Sequence, residues 1–194
     1  IKNSEPAWAA VPPHLHTAFE EVESAVRIQE TRLLVHRDGK RYNENNGLAV
    51  DPDFFKMFDF KLLSGNKENA LLAPFSIVLS ESMAKKYFGD QDPIGESLDI
   101  EDYGFVGNVT AVMEDMPVNS HLRADILISL TTFFTENYSP NLNDNWEGYE
   151  PDAYILLKPK VNAKVLESKF PEFLERNDGE GMKKLQAYIV PGTF

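Results

Sequence analysis

The chain contains no cysteine in its 194 residues. That excludes a disulfide framework, a thiol nucleophile and a zinc–thiolate site. Long apolar runs are absent as well, and none approaches the roughly 18–20 residues that a membrane-spanning helix needs. There is no glycine-rich phosphate loop, no H-E-x-x-H and no G-x-S-x-G. Positive charge is scarce: 19 Lys and Arg stand against 31 Asp and Glu, for a net charge of −12. Nucleic acid and anionic lipid surfaces both call for clustered Lys and Arg, so neither is expected as a partner. The first residue is Ile1 rather than Met, and no leader pattern follows it. The chain therefore reads as a piece of a longer protein, with any anchor expected outside it.

What is present is the composition of a folded domain, with 42% hydrophobic and 26% charged residues. A chain of this length suits one domain or two small lobes, and its core needs no cross-links. Pro12-Pro13 opens a short helical stretch over 14–22, with Leu15, Phe19 and Val22 on one face. Val26, Ile28, Leu33 and Val35 alternate as in a half-buried strand, and Asp38-Gly39 reads as the turn of a hairpin. After a short strand at 48–50, Asp51-Pro52 suits a helix start, with Asp51 as the cap and Phe54, Phe55 and Phe58 as the apolar face. Residues 76–80 (SIVLS) read as a buried strand. Ser80 is placed to cap a helix over 81–88, and Gly89 to end it.

Strands follow at 98–100 and 105–113, then a short apolar segment at 124–130. Residues 131–151 are rich in Asn, Pro and acids and read as a loop. A buried strand at 154–157 leads to a helix capped by Asn162, which Pro171 should split. A last strand alternates over 185–190. Strands and helices alternate irregularly and several strands pair as hairpins. The expected class is α+β with mixed sheets, not a doubly wound parallel sheet.

Each residue type able to do chemistry has a plainer reading here. His14 and His16 point apart on a helix start, and His36 and His121 are isolated in sequence, so solvated or capping roles are expected. Asp90, Asp92, Gly95 and Glu101 occupy calcium-loop positions, but Ile94 offers no oxygen at the fifth and Pro93 stiffens the loop. A turn leading into a strand fits better. Ser80 and Ser82 sit at a strand-to-helix joint without the glycines of a nucleophile elbow. The acid pairs Glu101-Asp102 and Glu114-Asp115 lie in polar stretches and should face water. The 13 Phe and 7 Tyr fall mostly on inward stripes. No catalytic, cofactor-binding or metal-ligating residue is expected, and no cofactor.

Four segments in order carry a resemblance. They are D-x-x-F-F with a closing Gly, at Asp51 and Gly65; I-V-L-S-E-x-x-A-K-K-x-F-G over 77–89; D-P-I-G-E-x-L over 92–98; and V-x-A-V-x-x-D-x-P-x-x-S-H over 109–121. Ala111 stands where a Gly is usual. Together with the β–α unit over 154–174, they resemble the MacB-like periplasmic core domain of MacB/FtsX-type ABC-transporter permeases. The match runs from about 8 to 174.

The resemblance implies an extracytoplasmic domain that transmits ATP-driven motion or handles an export substrate. It would sit on the periplasmic side of a bacterial inner membrane, anchored by a transmembrane part. Its implied partners are a cytoplasmic ABC ATPase, a second permease copy, and a periplasmic adaptor or exported substrate, with no nucleic acid. It implies no catalytic residues, so an enzyme is not expected. It also implies two lobes: a porter-like β-α-β lobe of about 8–75 plus 150–194, and an inserted α+β lobe of about 76–149. Two other readings stand beside it, an extracytoplasmic ligand-binding or sensor module and a hydrolase.

Overall fold

Asp38 and Gly39 both adopt left-handed backbone, at φ 50° and 73°, the combination that lets a two-residue turn match the twist of its strands. The turn joins β1 (Val22–Arg37) to β2 (Lys40–Val50), a longer hairpin than the alternating residues alone suggest. The computed structural model describes residues 8–146, 151–178 and 188–190. The remaining elements are α1 (Val11–Ala18), α2 (Phe54–Met57), β3 (Leu62–Ser64), β4 (Ser76–Ser80), α3 (Glu81–Phe88), β5 (Ser97–Ile100), β6 (Phe105–Met113), β7 (Ile126–Ser129), β8 (Asp152–Leu157), α4 (Ala163–Glu167), α5 (Phe170–Asp178) and β9 (Tyr188–Val190). The class is α+β with mixed strand pairing, as the sequence implies.

The chain forms two compact units, residues 1–28 with 139–194 and residues 29–138. These dividing lines fall elsewhere than the sequence-drawn ones near 75 and 149. The reason is that the ends of the β1–β2 hairpin pair with strands of the middle segment: Val35 and His36 of β1 with β5, and Gly47 through Val50 of β2 with β7.

In the unit of residues 29–138, the strand order β2-β7-β4-β6-β5-β1 closes, because β1 also pairs with β2. A closed ring of strands leaves no open edge within itself. β3 adds a short antiparallel pairing to β6. Inward side chains fill the unit: Leu33, Val35, Ile77, Leu79, Leu98, Ile100, Val109, Ile126 and Ile128 are buried together with Met83, Tyr87 and Phe88 of α3. Helix α3 forms where expected. Ser80 has extended backbone and its Oγ accepts from the Met83 N–H at 3.3 Å, while Gly89 takes φ 62° at the far end.

In the unit of the chain ends, Val22 through Ile28 of β1 pair antiparallel with β8, and β8 pairs parallel with β9. Leu15, Phe19, Val22, Ile155, Leu157, Leu166, Phe170 and Phe173 make its core. Asn162 caps α4 by accepting from the Lys164 N–H at 3.0 Å. The helix is split as Pro171 implies: α4 ends at Glu167, and Pro171 stands in the first turn of α5, where a missing N–H is tolerated.

Two helix starts differ from the sequence reading. Helix α1 begins at Val11 and holds Pro12 and Pro13 in its first turn, so it ends at Ala18 rather than Val22. Proline's fixed φ suits that first turn, so the pair lies inside the helix. Helix α2 begins after Asp53, which is its N-cap residue in place of Asp51, and the Asp51 backbone oxygen accepts from the Phe54 N–H at 3.1 Å. The polar stretch at 131–151 holds 3-10 turns at Leu130–Phe134 and Leu142–Asp144, and 147–150 lie outside the described residues. Of the expected last strand, 185–187 also lie outside them.

Candidate functional site

The serines singled out by sequence are structural. Ser80 is fully buried and occupied as a cap. Ser82 gives both its backbone N–H and its hydroxyl to Asp115. Those two bonds, the hydroxyl's first, hold the Asp115 carboxyl below the usual carboxylate range. Asp115 thus ties the end of β6 to the first turn of α3. Its neighbour Glu114 pairs on the surface with Lys61 at 2.5 Å.

The calcium-like loop is a turn. Asp92 Oδ1 accepts from the Ile94 N–H at 3.0 Å, and Gly95 takes φ 84° while donating its N–H to Val109 O. Glu101 belongs to a different neighbourhood, where its Oε2 accepts from Arg41 Nε at 2.7 Å. That bond is the main cause lowering the Glu101 carboxyl from its usual value. Asp102 accepts from the Leu34 N–H.

Among the histidines, His14 meets Asp144 at 3.3 Å and lies beside Trp146, His16 is exposed, and the His121 ring lies 6.5 Å from Phe58. His36 Nδ1 lies 3.5 Å from Asp99 and 4.0 Å from Glu101. Sequence reasoning did not find that grouping. The turn at 38–39 places position 36 opposite 41, but the pairing of His36 with Asp99 comes from the β1–β5 register.

Among the described residues the buried charged side chains are Arg27, Glu44 and Asp51. Glu44 is 5% exposed and accepts from Lys86 Nζ at 2.6 Å and from the Tyr87 hydroxyl. Burial first, and the hydrogen bond to Glu44 second, push the Tyr87 phenol far above its ordinary value. Arg27 is 3% exposed and donates Nη1 to Ala9 O and to Asn143 Oδ1, each at 2.9 Å. Glu44 and Arg27 both join segments distant in the chain.

The feature most like a ligand site is an aromatic hollow in the unit of residues 29–138. Phe75, Tyr103, Phe105, Val106 and Tyr138 line a cavity of about 440 Å³. Phe75 sits at φ 62°, an uncommon backbone for an aromatic residue. It is held by its N–H on Thr132 Oγ1 at 2.8 Å and by its oxygen accepting from Asn108 N. Tyr103 and Tyr138 flank Phe133 at ring distances of 5.3 and 5.5 Å, and the Tyr138 hydroxyl donates to Tyr103 O. The hollow sets these aromatic rings beside the polar Asn137.

The family model described as MacB-like periplasmic core domain matches residues 3–172. The chain belongs to this family. A domain of a candidate permease protein from Porphyromonas gingivalis is similar at 25% identity and a TM-score of 0.73, covering 92% of this chain and 73% of that one. The periplasmic region of MacB from Actinobacillus actinomycetemcomitans shares the fold at 17% identity and a TM-score of 0.62, over 90% of this chain and 74% of that one. The extracellular domain of the noncanonic ABC-type transporter YknZ from Gram-positive bacteria does so at 13% and 0.57, over 84% and 80%. No curated protein matches the sequence.

As a MacB-like periplasmic core domain of ABC-transporter permease type, the chain makes its motifs intelligible. Ser80, Asp92, Gly95 and Asp115 all serve turns and helix ends. They secure strand–helix joints and turns. No helix among the described residues is long and apolar enough to cross a membrane.

Proposed function

We propose that this domain stands on the outer face of a bacterial inner membrane, anchored through a transmembrane part. There it relays ATP-driven movement between two permease copies served by a cytoplasmic ATPase. It is not an enzyme. The observation that carries this reading is the family match over residues 3–172, a family belonging to ABC permease systems. The role of the motif residues supports it, since they stiffen the unit rather than equip it for catalysis. A body that transmits movement has to hold its shape while its partners shift.

The test uses the full-length permease with its ATPase in lipid. Spin labels on Asp90→Cys, at an exposed turn of a chain without cysteine, report the distance between the two copies. Nucleotide binding should change that distance by several ångströms; the same distribution with and without nucleotide defeats the proposal.

The aromatic hollow favours a second reading, a permease-borne ligand-binding or sensor module. Its aromatic rings suit a flat aromatic group, and Asn137 beside them offers that group a hydrogen bond. Under this reading an aromatic peptide or drug quenches tyrosine emission saturably and Tyr103→Ala removes the effect. Unsaturable quenching would leave the relay role alone.

A further inference from the structure

We propose that His36, Asp99 and Glu101 form an exchangeable site for a divalent cation of the zinc class. The register of the ring of strands builds it. His36 of β1 is paired directly with Asp99 of β5, and cross-strand partners share a face. Glu101 opens the 3-10 turn that follows β5, and that turn leaves its Oε1 4.0 Å from His36 Nδ1.

Each residue presents one ligand atom, and these atoms lie within 4.8 Å of one another. His36 Nδ1 is 3.5 Å from Asp99 Oδ2 and 4.0 Å from Glu101 Oε1. In a tetrahedral site with bonds of ~2.0–2.1 Å, neighbouring ligand atoms stand roughly 3.3 Å apart. Small side-chain rotations therefore close the set. Glu101 divides its two oxygens: Oε2 is held by Arg41 Nε at 2.7 Å, and Oε1 faces His36. A carboxylate fixed through one oxygen offers the other with little loss of rotamer freedom, the service an outer-shell partner gives in metal sites.

The donor set selects the ion. One imidazole and two carboxylates suit zinc and its neighbours, whereas calcium and magnesium prefer oxygen alone. Three protein donors leave positions for water. The side chains are 37%, 43% and 23% exposed for His36, Asp99 and Glu101, so an ion enters and leaves without opening the fold. Such a site senses or buffers metal, and the folded core does not depend on it.

The test is calorimetric titration of ZnCl₂ into the tag-free 194-residue chain at neutral pH, in a buffer that does not bind zinc. One equivalent should bind with a Kd in the range of about 10–100 μM, and millimolar calcium or magnesium should not displace it. His36→Ala should weaken binding at least about tenfold and Asp99→Asn by several-fold. His16→Ala, at an exposed histidine outside the cluster, should leave it unchanged. Melting curves in chelator should coincide for wild type and both cluster variants, which separates lost binding from lost fold. Wild-type affinity in His36→Ala, or no saturable binding below about 1 mM, overturns the site and leaves a surface ion pair between β1 and β5.

Discussion

A Cβ built on Gly65 would lie 2.6 Å from the Cβ of Ala111, and equally close to Thr110 O. Gly65 also holds φ 90°, backbone that L side chains rarely adopt. The two positions are linked through the β3–β6 pairing, where Ser64 is partnered with Val112. The family pattern has Gly where this chain has Ala111, and the bare Gly65 leaves room for that methyl. Gly65→Ala should therefore destabilise by about 2–4 kcal/mol, combining overpacking with backbone strain. Adding Ala111→Gly should restore only part of this, because the Thr110 oxygen and the positive φ remain. Urea melts decide it. A loss under about 0.5 kcal/mol would show that the strand pair shifts freely.

The joint between β4 and α3 should show a specific acid sensitivity. Ser80→Ala removes the cap and should cost about 1 kcal/mol. Asp115 is held below its usual value of 3.8 by its two bonds from Ser82. A folded-state pKa below the unfolded one gives stability that is present above pH 3.8 and is lost as pH falls from there through the lowered value. The stability of Asp115→Asn should consequently fall less steeply than wild type below pH 4. Parallel acid limbs for the two proteins would refute the assignment.

Alkaline pH acts on a different residue. Below pH 10 Tyr87 keeps its proton in both folded and unfolded chains. Above pH 10 the unfolded chain releases that proton while the folded one, buried against Glu44, does not, so stability declines as pH rises. Among the seven tyrosines, Tyr87 should remain protonated until the protein unfolds. Tyr87→Phe should extend the stable range upward, provided it is compared with its own stability at pH 8. An ultraviolet titration in which every tyrosine ionises while the fold persists contradicts this.

How much of this was legible in the sequence follows the range of each signal. The turn at Asp38-Gly39, the cap at Ser80 and the stop at Gly89 are written within a few residues, and they stand where local chemistry puts them. The length of β1 was not legible, because polar residues 29–32 break the alternation and continue the strand only between its two paired stretches, 22–28 with β8 and 35–36 with β5. For the same reason the unit boundaries fall at 28/29 and 138/139: only strand pairing shows that β2 belongs with β7. Arg27, Glu44 and the His36 grouping carry no local pattern at all. Each becomes visible only when distant segments meet.

Arg27 supplies the fourth prediction, in the unit of the chain ends. Its buried guanidinium joins β1 to Ala9 before α1 and to Asn143. Arg27→Met fills much of the volume but removes the donor from the buried Ala9 oxygen and from the exposed Asn143 side chain, a change worth about 1–3 kcal/mol. Helix α1 should then be the first segment to lose hydrogen-exchange protection. Unchanged protection at Leu15 together with an unchanged melt would show that the apolar core alone holds α1.

The isolated chain should be monomeric at micromolar concentration. A stable homodimer needs a broad apolar face, commonly more than about 2,000 Å² in obligate pairs. Among the described residues, the exposed large apolar side chains are Leu63, Leu72, Ile94, Val106, Val118 and Val165, spread over separate elements. The ring of strands in the unit of residues 29–138 closes on itself and so offers no long edge for β-addition. A net charge of −12 on each chain adds repulsion between copies, strongest at low salt. Under the relay role proposed above, pairing of two permease copies would then fall to parts of the transporter other than this domain. Light scattering at about 10 and 100 μM, in low and high salt, should return the 22.0 kDa of one chain. A dimer that persists at the lower concentration would place the pairing surface on this domain.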